Sequence, residues 1–457
     1  MTLAANWAPP VSWSSDEKRV FETLQSGVAF EARTNDERQA PRGIIPLTEG
    51  RPARISGAFL SEIVRKYTDE FPVGVQLQGV VITGEVQIEN VRIDKILSLE
   101  HCYFTGPIIA RGSKFLWLSL TGSVLTDYFD MRSSVISGAV FLRWGFQSLT
   151  CTLMRDATVT GPVDCDGAVF KYDSLGRIGD GEFRTSADGE SFSLARASAS
   201  ALFWMNLPEP PTGIVNLRNL QIKSLRDHIN NVQDVARDWP EPGNLRMSGL
   251  KYEERTSANP EALLAWIALQ TETEVRYGSY QTTIKVLSDS GHELSANEII
   301  LAKQYYTAQR EHSMLTKILR YIYIGLSKAG LGTDRIAAIT AVAFVLSLIV
   351  IAGNEHDGQF IPKNSEILKD PCFDISKPCQ SGWIPYHKFR VPPYYPAFNS
   401  LGYTIDMFVP GVSYGVSTDW RPRSDATTVL TLVIRVIGSL LIGLLIVCVS
   451  GIARFSR

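Results

Sequence analysis

Between residues 82 and 170 the chain repeats itself. The series Ile82, Ile93, Phe104, Phe115, Leu125, Ile136, Gln147, Val159 and Phe170 has spacings of 11, 11, 11, 10, 11, 11, 12 and 11 residues. Gln147 is its one polar member, with Phe146 beside it. Four blocks share a pattern, ITGEVQI, FTGPIIA, ISGAVFL and VTGPVDC, alternating apolar and polar residues as a half-buried strand does. Gly84, Gly106, Gly138 and Gly161 stand where each block must bend. Such short strands cannot bury their apolar side alone, whereas stacking them into a solenoid does so. Two blocks make a coil of about 22 residues, so residues 55–254 are expected to form a right-handed β-helix. An antiparallel β-sandwich, with turns every ~8–12 residues, is the competing arrangement. Past residue 175 the coils lose regularity, and GRIGDGEFRTSADGESF reads as a protruding loop.

The same period aligns charge. Arg111, Arg132 and Arg155 are 21 and 23 residues apart, one coil each, so they would stack at the strand spacing of ~4.8 Å. Like charges that close repel unless an anion or carboxylates lie between them. Lys114, Trp117, Arg143 and Trp144 belong to the same coils. Cationic columns with aromatic neighbours suit a nucleotide or a single-stranded oligodeoxynucleotide, which makes these residues the candidate ligand site. The alternative is a solvated face neutralised by Glu100, Asp130 and Asp156. The net charge of −2 implies no whole-chain attraction for nucleic acid, so any such binding must be local.

Residues 255–334 turn helical and form a connector. Asn259-Pro260 has the cap and first-turn chemistry of a helix start. A second helix is expected over Tyr280–Ser288, ended by Gly291. Ser295 can cap a third, long helix running through KQYYTAQREHSMLTKILRYIYIGL, a rigid rod suited to transmitting motion. It leads to the first of two apolar runs in a domain over 335–457. Ile336–Gly353 holds no charge in 18 residues, and Thr428–Gly451 holds only Arg435. About 20 apolar residues cross a bilayer as helix, so both are read as transmembrane spans, 336–353 and 428–451. Lys317, Arg320, Lys328 and Arg335 precede the first span, and Arg454 and Arg457 follow the second. This charge bias predicts both termini cytoplasmic and 354–427 outside. The N-terminal segment, 1–54, has no apolar core of a signal peptide. Cys372 and Cys379 fall in the outside loop and are expected to pair as a disulfide, while Cys102, Cys151 and Cys165 stay reduced in the cytosol.

Between the spans lies NSLGYTIDMFVPGVSYG, 399–415. Asn399 or Ser400 can cap a two-turn helix that Pro410 stops, with Tyr403, Met407 and Phe408 on one face. A short re-entrant helix between two spans is a pore-loop layout, because non-helical backbone at membrane depth is tolerated where it is buried or faces water. The alternative is an outside loop anchored at the interface by its aromatics. Arg435, about eight residues into its span, must meet a partner or water. In a ring of copies it would form an anion-selective constriction. Two spans cannot enclose a pore, so a homo-oligomer is required, and a tetramer is the favoured closed form. Tyr403, Met407, Phe408 and Arg435 are therefore the candidate pore residues, and membrane lipid is an expected partner. GVSYG matches a nucleophile elbow, but Pro410 precedes it and no buried strand does. No dinucleotide or Walker A phosphate loop occurs, and the six histidines form no metal-ligand cluster. No cofactor or metal is expected, and an enzyme is the least favoured class.

Two segments carry a resemblance. WPEPGNLRMSGLKYE contributes Trp239, Pro240, Gly243, Leu245, Gly249 and Tyr252. YGSYQTTIKVLSDSGHELSANEIILAKQ contributes Tyr280, Gln281, Val286, Leu287, Gly291, His292, Ala296, Ile299 and Lys303. With NSLGYTIDMFVP and Trp420, the chain over roughly 55–457 resembles a bacterial family of β-helix-plus-membrane proteins often labelled "membrane-associated oxidoreductase". The residues support no redox chemistry. In its layout the chain also resembles bacterial antiviral effectors of the Hailong type, channels restrained by oligodeoxyadenylate. That resemblance implies an anti-phage role, an oligonucleotide ligand and a partner nucleotidyltransferase. The expected function is an oligomeric ligand-gated channel. The alternative is a membrane-anchored interaction scaffold.

Overall fold

The computed structural model describes residues 10, 12–32, 53–172, 189–271, 276–328, 333–379 and 382–450. The chain divides into two compact units, Met1–Ala302 and Lys303–Arg457. Most of the loop expected at GRIGDGEFRTSADGESF, the first nine residues, Arg454 and Arg457 lie outside the described residues. The last three residues of that expected loop, 190–192, belong to the strand Glu190–Ser193.

All described strand pairings from Arg54 to Arg255 are parallel, which excludes the sandwich. The strands build a β-solenoid of parallel sheets with six, seven and eleven strands. One coil passes through Tyr103–Phe104, Ile108–Ile109 and Lys114–Ser119 before it returns to Val124–Leu125. The Lys114–Ser119 strand covers two sides. Its first residues pair with Val135–Ile136 and its last with Val140–Phe141. Each eleven-residue block thus bends in its middle as well as at its end, giving four short sides per coil.

The corners explain the spacing. One column of corners takes the left-handed backbone at Asn90, Gly112, Ser133 and Asp156, with φ of 55°, 65°, 58° and 59°. Glycine adopts this region without cost, and asparagine or aspartate tolerates it. The N–H groups of Asn90, Gly112 and Ser133 then each reach the next coil, bonding the carbonyls of Arg111, Arg132 and Arg155 at 2.9 Å. Elsewhere backbones touch. A Cβ on Gly106 would lie 2.6 Å from the Gly84 carbonyl carbon, and one on Gly161 2.6 Å from the Gly138 oxygen. That close approach is why a glycine recurs in the repeated blocks.

Apolar side chains fill the coil. Ile82, Phe104, Leu125, Ser148 and Phe170 are in register along one side. Ser148, not Gln147, is therefore the inward member, and buried Phe146 fills the neighbouring space. Towards the C-terminal end the core becomes aromatic. Phe170–Trp204, Trp204–Trp239 and Trp239–Trp266 are 5.3, 5.4 and 5.5 Å apart between centroids. Burying each such ring contributes roughly 1.5–3 kcal/mol. At the other end helix α1 (Ser15–Gln25) starts with a reciprocal Ser14–Glu17 cap, and Phe30–Glu31 pairs with Leu77–Gln78. Helix α2 (Gly57–Lys66) buries Phe59, Leu60 and Ile63.

Helix α3 (Pro260–Ala268) has Asn259 as its cap, accepting from Glu261 and Ala262 N–H groups. Helix α4 (Tyr277–Asp289) starts before Tyr280, and Gly291 follows it with φ 81°. Helix α5 (Glu293–Gln309) contains Ser295 rather than being capped by it. The expected rod is broken, because Ser313 is extended (ψ 127°) and a separate helix, α6 (Met314–Ser327), begins there.

Helices α7 (Thr333–His356) and α9 (Asp425–Val449) have mean hydropathy of 2.7 and 2.8 over their apolar windows. Only 17% and 22% of those windows are buried, so these are not core helices of a soluble fold. The chain is a membrane protein with a β-solenoid domain. Between α7 and α9, Phe360–Pro362 pairs antiparallel with Trp420–Pro422, and Ile384–Tyr386 with Phe389–Val391. Cys372 and Cys379 are joined by a disulfide, and helix α8 covers Ser400–Phe408.

Candidate functional site

Arg111, Arg132 and Arg155 do form a column along one solenoid corner, and carboxylates interleave with them. Arg111 Nε lies 2.8 Å from Glu89 and 3.3 Å from the buried Asp130. Arg132 grips Asp130 through two hydrogen bonds of 3.0 Å. Arg155 Nη2 is 2.7 Å from buried Glu190, which Arg246 approaches at 3.6 Å. The column is a self-neutralised ladder. Of the expected counter-charges Asp130 pairs directly with the column, and Asp156 feels the charges of Arg155 and Arg132. Glu100 accepts from Ser98 and Ser119, while Asp156 is held below the usual carboxylate range by hydrogen bonds from Arg196.

Trp117, Arg143 and Trp144 lie on other corners of the coil. Arg143 pairs with Asp164 at 2.8 Å and stacks over Phe141 and Trp144, at 4.1 and 3.9 Å from the ring centres. Trp117 is 5.3 Å from Phe141. The two tryptophans are 40% and 46% exposed, leaving ring face available. Lys114 is exposed at the start of its strand. The expected ligand site thus separates into a neutralised arginine ladder and an aromatic strip. Burial also silences two thiols of the solenoid. Desolvation, aided by the Asp130 charge, pushes the Cys151 thiol up to about 12, and burial raises Cys165 well above its ordinary value. Both therefore stay protonated at pH 8, and iodoacetamide is expected to modify them only after unfolding. Mass spectrometry of native and denatured protein checks this.

The second region is α8. The Asn399 side chain, not Ser400, caps it, accepting from Gly402 N–H at 2.9 Å. Ser400 instead donates to Glu355 near the end of α7. At that level Thr427 Oγ1 donates to Asn354 Oδ1 at 3.5 Å, so the end of α7 meets the start of α9. The other end of α8 lies much deeper. Phe408 is 5.5 Å from Phe344, centroid to centroid. A Cβ on Gly438 would stand 2.4 Å from the Phe408 carbonyl oxygen. Phe344 and Gly438 are each 11 residues from Glu355 and Thr427 respectively. At 1.5 Å per residue that is about 16 Å along each helix, roughly half of the ~30 Å hydrocarbon thickness. Helix α8 therefore runs from one end of the apolar pair to its middle.

The chain then turns back. Buried Asp406 accepts from the Ser417 N–H at 2.8 Å and from the Tyr414 N–H, clipping the return segment to α8. Pro410–Tyr414 is neither helix nor strand, and it is exposed. Gly411 and Gly415 have φ of 81° and 83°, and no strand precedes Ser413, so GVSYG forms a turn rather than a nucleophile elbow.

Tyr403, Met407 and Phe408 pack inside the unit. Tyr403 lies 4.9 Å from Phe360 and 5.3 Å from Phe398 between ring centres, and Met407 joins the same cluster. These three hold α8 in place, and the exposed face falls to 410–414. Arg435 is exposed, beside buried Ile434 and Gly438, with no ion pair among the described residues. It is eight residues past Thr427, about 12 Å along the helix. Sequence reasoning missed Asp406 and Gly438. The one available signal was a glycine set in an otherwise bulky apolar run. No protein family, curated protein or solved structure matches the chain.

Proposed function

We propose that this chain is one subunit of an oligomeric membrane channel, with 409–415 at the pore wall and the solenoid as its regulatory domain. The observation that carries this reading is Pro410–Tyr414, exposed irregular backbone halfway along two apolar helices. Lipid cannot hydrogen-bond such peptides, so they must meet another copy or water. A closed ring of copies supplies both, and a tetramer is the simplest form with room at its axis. Arg435 supports the same reading. Its charge would cost roughly 2.5–3.5 kcal/mol or more against lipid, and a water-filled axis removes that cost. There it favours anions.

The disulfide supports an oxidising compartment for 354–427, and Lys317, Arg320, Lys328 and Arg335 support a cytoplasmic side for the other ends. A bacterial inner membrane fits both. Gating by a nucleotide or single-stranded oligodeoxynucleotide is supported by the Trp117–Phe141–Arg143–Trp144 strip, where bases can stack. The arginine ladder offers such a ligand little unbalanced charge. An anti-phage role with a partner nucleotidyltransferase rests on the resemblance of layout.

Purified full-length protein in liposomes is expected to release chloride, and oligodeoxynucleotides to change the rate. No ion flux with or without them would remove the channel and leave a membrane scaffold. Arg435→Glu is expected to shift the reversal potential in a salt gradient from anion towards cation preference. Unaltered selectivity would place Arg435 away from the ion path.

A further inference from the structure

Helix α6 presents an apolar face that no described residue of its own unit covers. Met314, Leu315, Ile318, Leu319 and Ile322 are all exposed, Met314 and Leu315 by 77% and 66%. At 100° per residue these side chains fall on one side of the helix. Lys317 and Arg320 fall on the other, Arg320 pairing with Glu311 at 3.0 Å, and Ile324 on that side is buried. The amphipathic pattern is therefore inverted for a soluble helix, with its oily side outward.

Two observations identify what covers this face. Helix α6 packs against α7 and precedes it by a few residues, so its apolar side continues the exposed apolar surface of a membrane-crossing helix. The segment from 312 to 333 also carries Lys317, Arg320 and Lys328 and no acidic residue. Apolar residues on one face and basic residues on the other suit the boundary between acyl chains and anionic headgroups. We infer that α6 lies flat in that boundary of the leaflet from which α7 enters, with Lys317 and Lys328 at lipid phosphates. The inference rests on the membrane reading of α7 and α9 and is independent of ion conduction.

The test uses full-length protein in phosphatidylcholine nanodiscs with and without phosphatidylglycerol. Ile318→Cys, Ile322→Cys and Thr316→Cys proteins carry an environment-sensitive thiol dye. The native free thiols among the described residues are buried, and Cys372 and Cys379 are paired, so labelling is selective. At 318 and 322 the dye is expected to be blue-shifted and quenched by nitroxide lipids, and quenched by aqueous iodide roughly fivefold less than at 316. Phosphatidylglycerol is expected to deepen that shielding, and Lys317→Glu to weaken it. Equal iodide quenching at all three positions would overturn the inference. So would shielding at 318 and 322 without nitroxide-lipid quenching, which would mean that protein covers the face. Shielding indifferent to phosphatidylglycerol would refute the anionic headgroup as its partner.

Discussion

Leucine in place of Gly438 is expected to expel α8 from its seat and abolish conduction. A Cβ there would lie 2.4 Å from the Phe408 carbonyl oxygen and 2.8 Å from the Phe408 Cα. The obstacle is backbone, so no side-chain rotation relieves it. Overpacking of this kind costs about 1–3 kcal/mol even where neighbours can yield, and a branched side chain against backbone belongs at or above the top of that range. Since Phe408 also rests on Phe344, the clash acts on the deep end of α8, where the chain turns back. Gly443, on the same helix, has nothing within 4 Å of its would-be Cβ, so Gly443→Leu is the control. Thermal unfolding in detergent and ion flux in liposomes are expected to separate the two, with Gly438→Leu destabilised and silent and Gly443→Leu close to the parent protein.

Removing the Asp227 carboxylate is expected to destabilise the solenoid severely. Asp227 and Arg255 are almost wholly buried, 2.6 Å apart between Oδ2 and Nη2, where the last strands meet α3. The Arg255 guanidinium lies 3.9 Å from the centre of the Trp266 ring. Asp227→Asn would leave that cation inside the protein without its counter-charge, a loss of about 3–5 kcal/mol. Replacing both partners by apolar residues, Asp227→Leu with Arg255→Met, is expected to recover most of it, because desolvation of the pair had offset much of its attraction. Denaturant unfolding of the single and double variants checks both statements. A double variant as unstable as the single would mean that the pair supplies stability rather than local order.

The legible part of this fold was its long-range periodicity. Eleven-residue spacing and a glycine in four of the blocks favoured stacked coils over a sandwich, and the structure shows the reason, since the coils bring Gly106 and Gly161 against the backbone of Gly84 and Gly138. The four-sided coil was hidden, since strands of two residues are too short to show a period of their own. The arginine column was visible, but two of its counter-charges, Glu89 and Glu190, were not. Glu190 reaches Arg155 from 35 residues away, across a segment that interrupts the repeat. The break between α5 and α6 was hidden because residues on both sides favour helix. At the membrane site the cap, the Pro410 stop and the lone arginine of the second span were readable. The depth of α8 was not, because it is decided by Gly438 and Phe344 on two other helices. For the same reason Tyr403 and Phe408 read as a pore face, although an apolar side chain in a membrane segment suits packing equally well.

The most direct measurement of the central claim places a cysteine at Val412, in the exposed return segment, and records current from the full-length protein in a planar bilayer. A charged methanethiosulfonate reagent added to the water is expected to reach the Val412→Cys side chain and block the current, while the parent protein conducts unchanged. A parent protein that passes no current, or a fully modified Val412→Cys protein that conducts as before, would contradict the assignment of 409–415 to a pore wall.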